Sequence, residues 1–139
     1  MSVVLDTSLL VGAYDESAPE HEVAATWLRD LDDELVTTPL AIAEMELLVR
    51  GRGGADAQRE LWRNLDAGAI TVRWWADAID ETLTIARRRG GGPGALVDAS
   101  LVALAHRVRT NRVATFDHAR FRALKTRDGK PFIILPADA

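Results

Sequence analysis

The chain contains no cysteine. Disulfides, thiolate metal ligands and cysteine nucleophiles are therefore excluded, and a cytoplasmic location is the natural expectation. Histidine is scarce and scattered, with only His21, His106 and His118. His118 suits a turn or helix start, while His21 and His106 fall on helical stretches and read as surface residues. No apolar run approaches the roughly 18 residues that a membrane-spanning helix requires. Met1 to Asp6 carries no basic stretch followed by a long apolar segment and a small-residue cleavage site, so no secretion signal is expected. Repeats, low-complexity tracts and linkers are missing as well, and 139 residues is the size of one domain. Such a length buries about two-thirds of the surface of the unfolded chain. A single soluble domain over residues 1–139, away from membranes, is the expectation.

Positive charge is in deficit overall, with a net charge of −4. The deficit is confined to the first part of the chain. Residues 1–85 hold 6 Lys and Arg against 17 Asp and Glu, whereas residues 86–139 hold 11 against 4. A basic second part can attract phosphate, although a solvated charged surface accounts for the same count. Arg87, Arg88 and Arg120 are expected to be better placed than most of the basic residues for such phosphate contacts.

Short β-prone apolar runs alternate with helical patterns. Val3-Val4-Leu5 ends at Asp6, Leu35-Val36-Thr37 precedes a proline-started helix, Ile70-Thr71-Val72 forms a third run, Arg112 to Thr115 a fourth and Pro131 to Leu135 a fifth. Between them, Val23, Trp27 and Leu31 recur as a helical stripe. Thr38-Pro39 supplies a hydroxyl cap and a proline at the first helical position. Gly51, Gly53 and Gly54 end that helix, another runs from about Asp56 to Leu65, and a further one spans Ala76 to Arg89 before Gly90-Gly91-Gly92-Pro93-Gly94. The helix from about Ala95 to Arg109 carries a stripe of Val97, Leu101, Leu104 and Val108. Strands alternating with helices, the strands short and apolar enough to be buried on both faces, predict an α/β/α sandwich around a parallel sheet of four to five strands.

Asp6 and Asp117 each follow a strand, and side chains at the carboxyl ends of parallel strands converge on the crevice where ligands bind. Either residue alone could be a solvated cap. Glu44 lies one turn before Leu47 and Leu48, and Asp98 one turn before Leu101 and Val102, so both faces are expected to turn inward. A carboxylate on such a face needs an arginine partner or a metal. Several acids in one crevice repel one another unless a cation holds them ionised, and oxygen-only donors favour a hard ion, Mg2+ with Mn2+ as substitute. Such ions activate water and offset charge on a phosphoryl group in flight, which points to phosphodiester hydrolysis.

Four blocks carry a family resemblance: Val4-Leu5-Asp6-Thr7-Ser8, Thr38-Pro39-Leu40-Ala41-Ile42-Ala43-Glu44, Leu96 to Ala105 around Asp98, and Val113 to Phe121 around Asp117. In this order they resemble the blocks of PIN-domain nucleases, over nearly the whole chain. The resemblance implies a PIN fold with Asp6, Glu44, Asp98 and Asp117 as metal ligands and catalytic acids, and Ser8 and Thr115 as polar residues orienting them. It further implies a VapC-like toxin that cleaves RNA, is silenced by a small VapB-like antitoxin, and forms a homodimer and a heterotetramer or larger assembly with it. A non-toxin PIN nuclease of RNA processing, or an inactive PIN binding module, shares the same blocks. Some PIN domains carry a further acid two or three residues after the fourth, where this chain has Ala119 and Arg120. One firmly held ion is therefore expected rather than two.

Other enzyme classes place acids at strand ends around Mg2+. Phosphatases of the haloacid-dehalogenase type need a second aspartate two residues after the first, where Ser8 stands here. Receiver domains need an acidic pair near the first strand, a central aspartate and a late lysine, which the chain does not supply. Trp27 and one of Trp74 and Trp75 are expected in the core; the remaining tryptophans are candidates for a partner groove. Asp30, Asp32, Asp33 and Glu34 offer charge to a basic antitoxin or to solvent.

Overall fold

The computed structural model describes residues Met1–Ala139. Five strands, β1 (Ser2–Leu5), β2 (Glu34–Thr37), β3 (Thr71–Val72), β4 (Arg112–Ala114) and β5 (Ile133–Leu135), form one sheet in the order β3-β2-β1-β4-β5. Every neighbouring pair is parallel. Six helices alternate with them: α1 (Thr7–Tyr14), α2 (His21–Asp30), α3 (Pro39–Asp66), α4 (Ala78–Arg88), α5 (Ala95–Arg107) and α6 (His118–Leu124). Right-handed crossovers require α1, α2 and α3 on one face of the sheet and α4, α5 and α6 on the other. The expected α/β/α sandwich is thus formed, with five strands.

The two directions of winding diverge at the centre of the sheet, between β1 and β4. Asp6 follows the first of these strands and Asp117 stands three residues beyond the second. In an open parallel sheet this switch point is where the loops part and a ligand crevice opens. The backbone keeps its register just past the strands. The Asp6 amide donates to Ala114 O at 3.0 Å and the Thr115 amide to Leu135 O at 3.0 Å, so Asp6 and Thr115 are held side by side.

Val3, Val4 and Leu5 are almost wholly buried, as the apolar run implied. Helix α5 is buried more completely than a single stripe: every residue from Ala99 to Ala105 is inaccessible. Small Ala99, Ala103 and Ala105 let neighbours approach on the sides where the predicted stripe has no residue. Gly94 precedes this helix with φ of 73°, a left-handed conformation that costs other residues about 1–2 kcal/mol.

Three expectations need correction. Val23 is 53% exposed, and it is Ala24 that α2 buries, with Trp27 half-buried against the core. The stripe is rotated by one residue because a short helix packed close to α1 takes a small side chain at its contact. Leu47 and Leu48 are exposed, and the inward row of α3 is Ala41, Met45 and Val49, four residues apart. Glu44 does share a face with Leu47 and Leu48, but that face flanks the inward row instead of forming it. The glycines, by contrast, do end the first helical segment as expected: Gly54, at φ 74° and ψ −165°, is not helical, and a second segment runs on from beyond it to Asp66 within the range of α3. His21 is also no free surface residue, since its Nδ1 lies 3.1 Å from the Gly12 carbonyl.

Candidate active site

Asp6 is fully buried, a costly position for a carboxylate, and its oxygens are accordingly well supplied with donors. The Thr115 hydroxyl donates to Oδ2 at 2.7 Å and the Ser8 hydroxyl donates to the same oxygen at 2.9 Å. With each hydroxyl's single proton used on Asp6, the 3.0 Å approach of Ser8 to Thr115 is a contact rather than a second donation. The lone pairs of the two hydroxyls face the other way: Ser8 Oγ accepts from the Phe116 amide at 2.9 Å and Thr115 Oγ1 from the Asp117 amide at 2.9 Å. Ser8 and Thr115 therefore fix both the rotamer of Asp6 and the turn that delivers Asp117.

Asp117 caps α6. Its Oδ1 accepts from the Arg120 amide at 3.3 Å, while Oδ2 points back toward the crevice. A third acid reaches the crevice from α5, where Asp98 lies in the first turn with its side chain 15% exposed. Glu44 approaches from the start of α3. That start is tied to α5 by a buried hydroxyl pair, Thr38 Oγ1 and Ser100 Oγ at 2.8 Å, with Thr38 also capping Ala41. The sequence shows Thr38 as a cap; that its hydroxyl also locks the two acid-bearing helices together follows only from their packing.

The acids feel one another. Burial pushes the Asp98 carboxyl above the ordinary carboxylate range; Arg120 opposes the rise, and the negative charges of Asp6, Glu44 and Asp117 add to it. Arg120 is the central cation. Its Nη2 donates to Asp6 Oδ1 at 2.9 Å, and its Nε stands 3.5 Å from both Asp98 Oδ1 and Asp117 Oδ2. A cleft of about 300 Å³ opens beside this cluster, lined by Ser8, Glu44, Leu48, Phe116, Asp117 and Arg120 among others.

The donor set is carboxylate oxygen throughout, as a hard divalent cation prefers. No three of the acids stand close enough to share an ion directly while the guanidinium lies between them. The chemistry of the site fits such an ion, and the guanidinium now serves the electrostatic need it would meet.

The chain matches the PIN domain family model over residues 3–126. It also aligns with Ribonuclease VapC26 of Mycobacterium tuberculosis at 31% identity over 135 residues, which is 96% of this chain and all of the relative. The chain belongs to the PIN-domain family, in its VapC branch. In fold, this PIN domain resembles the crystal structure of Mycobacterium tuberculosis VapC20, described as a sarcin-ricin loop cleaving toxin, with a TM-score of 0.74 at 18% identity over 83% of this chain and 89% of that one.

Placement of the basic residues departs from the charge pattern of the sequence. Arg120 lies within the acid cluster of the PIN domain, paired with its carboxylates, and also lines the cleft. Arg112 pairs with Asp33 at 2.7 Å and Arg122 with Asp138 at 2.7 Å, so part of the basic half is neutralised internally. Arg87 and Arg88 stay exposed at the end of α4. Their neighbour Arg89, which no sequence signal singled out, bonds the Leu124 and Lys125 carbonyls at the end of α6 and is close enough to Asp98 to feel its charge. Glu20 and Arg52 also line the cleft. Neither stands in a recognisable block, and only the approach of α2 and α3 to α1 brings them there. Of the tryptophans, Trp75 packs against the core under Arg107, while Trp62 and Trp74 are exposed.

No helix is long and apolar enough to cross a membrane.

Proposed function

We propose that this PIN domain is a divalent-metal-dependent endoribonuclease, the toxin of a toxin–antitoxin pair silenced by a VapB-like antitoxin in the cytoplasm. The observation that carries the proposal is the meeting of Asp6, Asp98 and Asp117 around one cation, with Glu44 close enough to raise Asp98, at the switch point of a VapC-type sheet.

Asp6, Glu44, Asp98 and Asp117 hold Mg2+, or Mn2+ in its place. The ion, when bound, supplies an activated water and offsets the charge that builds on the phosphoryl group. The chain's own residues do the rest. Ser8 and Thr115 keep the Asp6 carboxylate aimed, because each donates a hydrogen bond to it. The capped end of α6 keeps Asp117 turned toward the same point. The 300 Å³ cleft admits a phosphodiester from the side of Glu44 and Leu48, and exposed Arg87 and Arg88 are the proposed contacts for flanking phosphates. A homodimer, joined by antitoxin into a heterotetramer or larger complex, completes the proposed assembly.

The test is cleavage of a total RNA pool by the purified protein with Mg2+ or Mn2+, with EDTA and Asp98→Asn as controls. Discrete fragments that need the metal and vanish in the variant are the expected result. A folded, antitoxin-free protein that cuts neither RNA nor single-stranded DNA with either ion would replace this reading with that of a binding module.

A further inference from the structure

Arg120 occupies an unusual position for a structural arginine. Its guanidinium makes one good hydrogen bond, to the buried Asp6. The buried Nε has no hydrogen-bond partner at all, because it stands between Asp98 and Asp117 at 3.5 Å from each, at the limit of donation. A guanidinium built as a permanent strut satisfies its donors, usually in paired, fork-like fashion. This one is retained by the summed charge of three carboxylates and not by directional bonding. It is also not enclosed: the side chain is 35% exposed, packs beside the Phe121 ring at 5.2 Å, and lines the open cleft.

The position has a consequence for any ion entering the cluster. Arginine does not lose its proton in proteins, so the guanidinium cannot make way by becoming neutral. A divalent cation and a guanidinium in contact with the same carboxylate oxygens repel each other strongly. Occupancy by either one therefore weakens binding of the other.

We infer that Arg120 is a resident competitor for the metal: its guanidinium holds the place between Asp6, Asp98 and Asp117, and a divalent ion binds only by displacing it into the cleft. The inference rests on the metal reading of this site given under Proposed function. It makes the PIN domain's affinity for its ion a difference between two occupancies. The acid cluster remains compensated, and the buried Asp6 paired, when metal is scarce.

The experiment is Mn2+ binding to RNA-free protein, followed by calorimetry and by the electron paramagnetic resonance of free Mn2+, for the unaltered chain, Arg120→Gln, Arg120→Lys and Asp98→Asn. Arg120→Gln is expected to bind Mn2+ at least tenfold more tightly, with Arg120→Lys between. In EDTA, Arg120→Gln is expected to melt lower than the unaltered chain and to regain more on adding Mn2+. Equal or weaker Mn2+ affinity in Arg120→Gln overturns the competition, leaving Arg120 as a structural or metal-supporting residue, while the metal reading stands as long as Asp98→Asn loses binding. Absence of Mn2+ binding in both folded proteins, or binding that Asp98→Asn leaves intact, overturns the metal reading and the competition together. Should Arg120→Gln fail to fold, the Arg120 Nε–H resonance of the unaltered protein decides: Mg2+ at saturation is expected to shift it and speed its exchange with water, and an unchanged resonance overturns displacement.

Discussion

Thr115 donates to Asp6 Oδ2 at 2.7 Å across the gap between β4 and β1, joining two residues 109 positions apart. This one bond couples the rotamer of a wholly buried acid to the turn that carries Asp117, because the same Thr115 oxygen accepts from the Asp117 amide.

Replacing Thr115 by valine keeps the shape and removes the bond. Partners that orient metal-binding groups are typically worth about 10–100-fold in affinity or activity. Thr115→Val is expected to lose cleavage by roughly that factor with circular dichroism unchanged, and Thr115→Ser is expected to restore most of it. Full activity in the valine variant would show that Ser8 alone suffices to position Asp6.

Removing Arg120 exposes the cost of burying Asp6. Breaking a buried ion pair by deleting one partner typically destabilises by about 3–5 kcal/mol. Since Arg120 is partly open to water, Arg120→Met in EDTA is expected toward the lower end of that range by urea unfolding. A variant as stable as the parent would mean that Ser8 and Thr115 carry the buried charge unaided.

The raised Asp98 carboxyl makes stability depend on pH. An acid whose folded pKa lies above its unfolded value contributes stability that is fully present below the ordinary carboxylate range and is lost as pH rises through the raised value. Asp98→Asn escapes that loss. In metal-free protein its melting temperature, compared with that of the parent, is expected to improve on going from acid to neutral pH. Cleavage by the parent, which needs the ionised carboxylate, is expected to rise over the same window. A stability gap independent of pH would show that the Asp98 carboxyl is not raised in the folded protein.

Phe121 lies on α6 directly after Arg120, is wholly buried, and meets Phe132 edge-on with ring centres 5.8 Å apart. Phe121→Ala is expected to cost about 3–5 kcal/mol. Because α6 also carries the cap made by Asp117, RNA cleavage should fall even under conditions where the variant remains folded. The comparison is activity and chemical unfolding at one temperature.

Arg87 and Arg88 test the charge asymmetry of the chain. If both meet phosphate, Arg87→Ala with Arg88→Ala lowers the slope of log affinity against log salt by about 0.7 for each contact on single-stranded RNA. An unchanged slope would assign both arginines to ordinary solvation.

Much of this molecule could be read along the chain because its signals are local. The apolar runs ending in Asp6 and shortly before Asp117 mark strand ends, and strand ends in a parallel sheet face one crevice. Thr38-Pro39 marks the start of α3 equally well, since a cap and a first-turn proline act within a few residues. Local periodicity failed where packing partners choose the face. Leu47 and Leu48 look inward as a pair but point to solvent, since α3 meets the sheet along Ala41, Met45 and Val49. Val23 yields to Ala24 for the same reason.

The sequence by itself determined the class of fold, the order of its elements and the four acids with their oxygen-only chemistry, all of which follow from hydrophobic pattern and residue type. Tertiary structure decided where charge would rest. A lone arginine carries no sign of its partners, and Arg120 reads as a candidate phosphate contact in a basic half until the sheet brings Asp6, Asp98 and Asp117 around it. The distinction is physical: helices and strands are selected by interactions a few residues apart, whereas a buried carboxylate accepts whichever cation the whole fold carries to it.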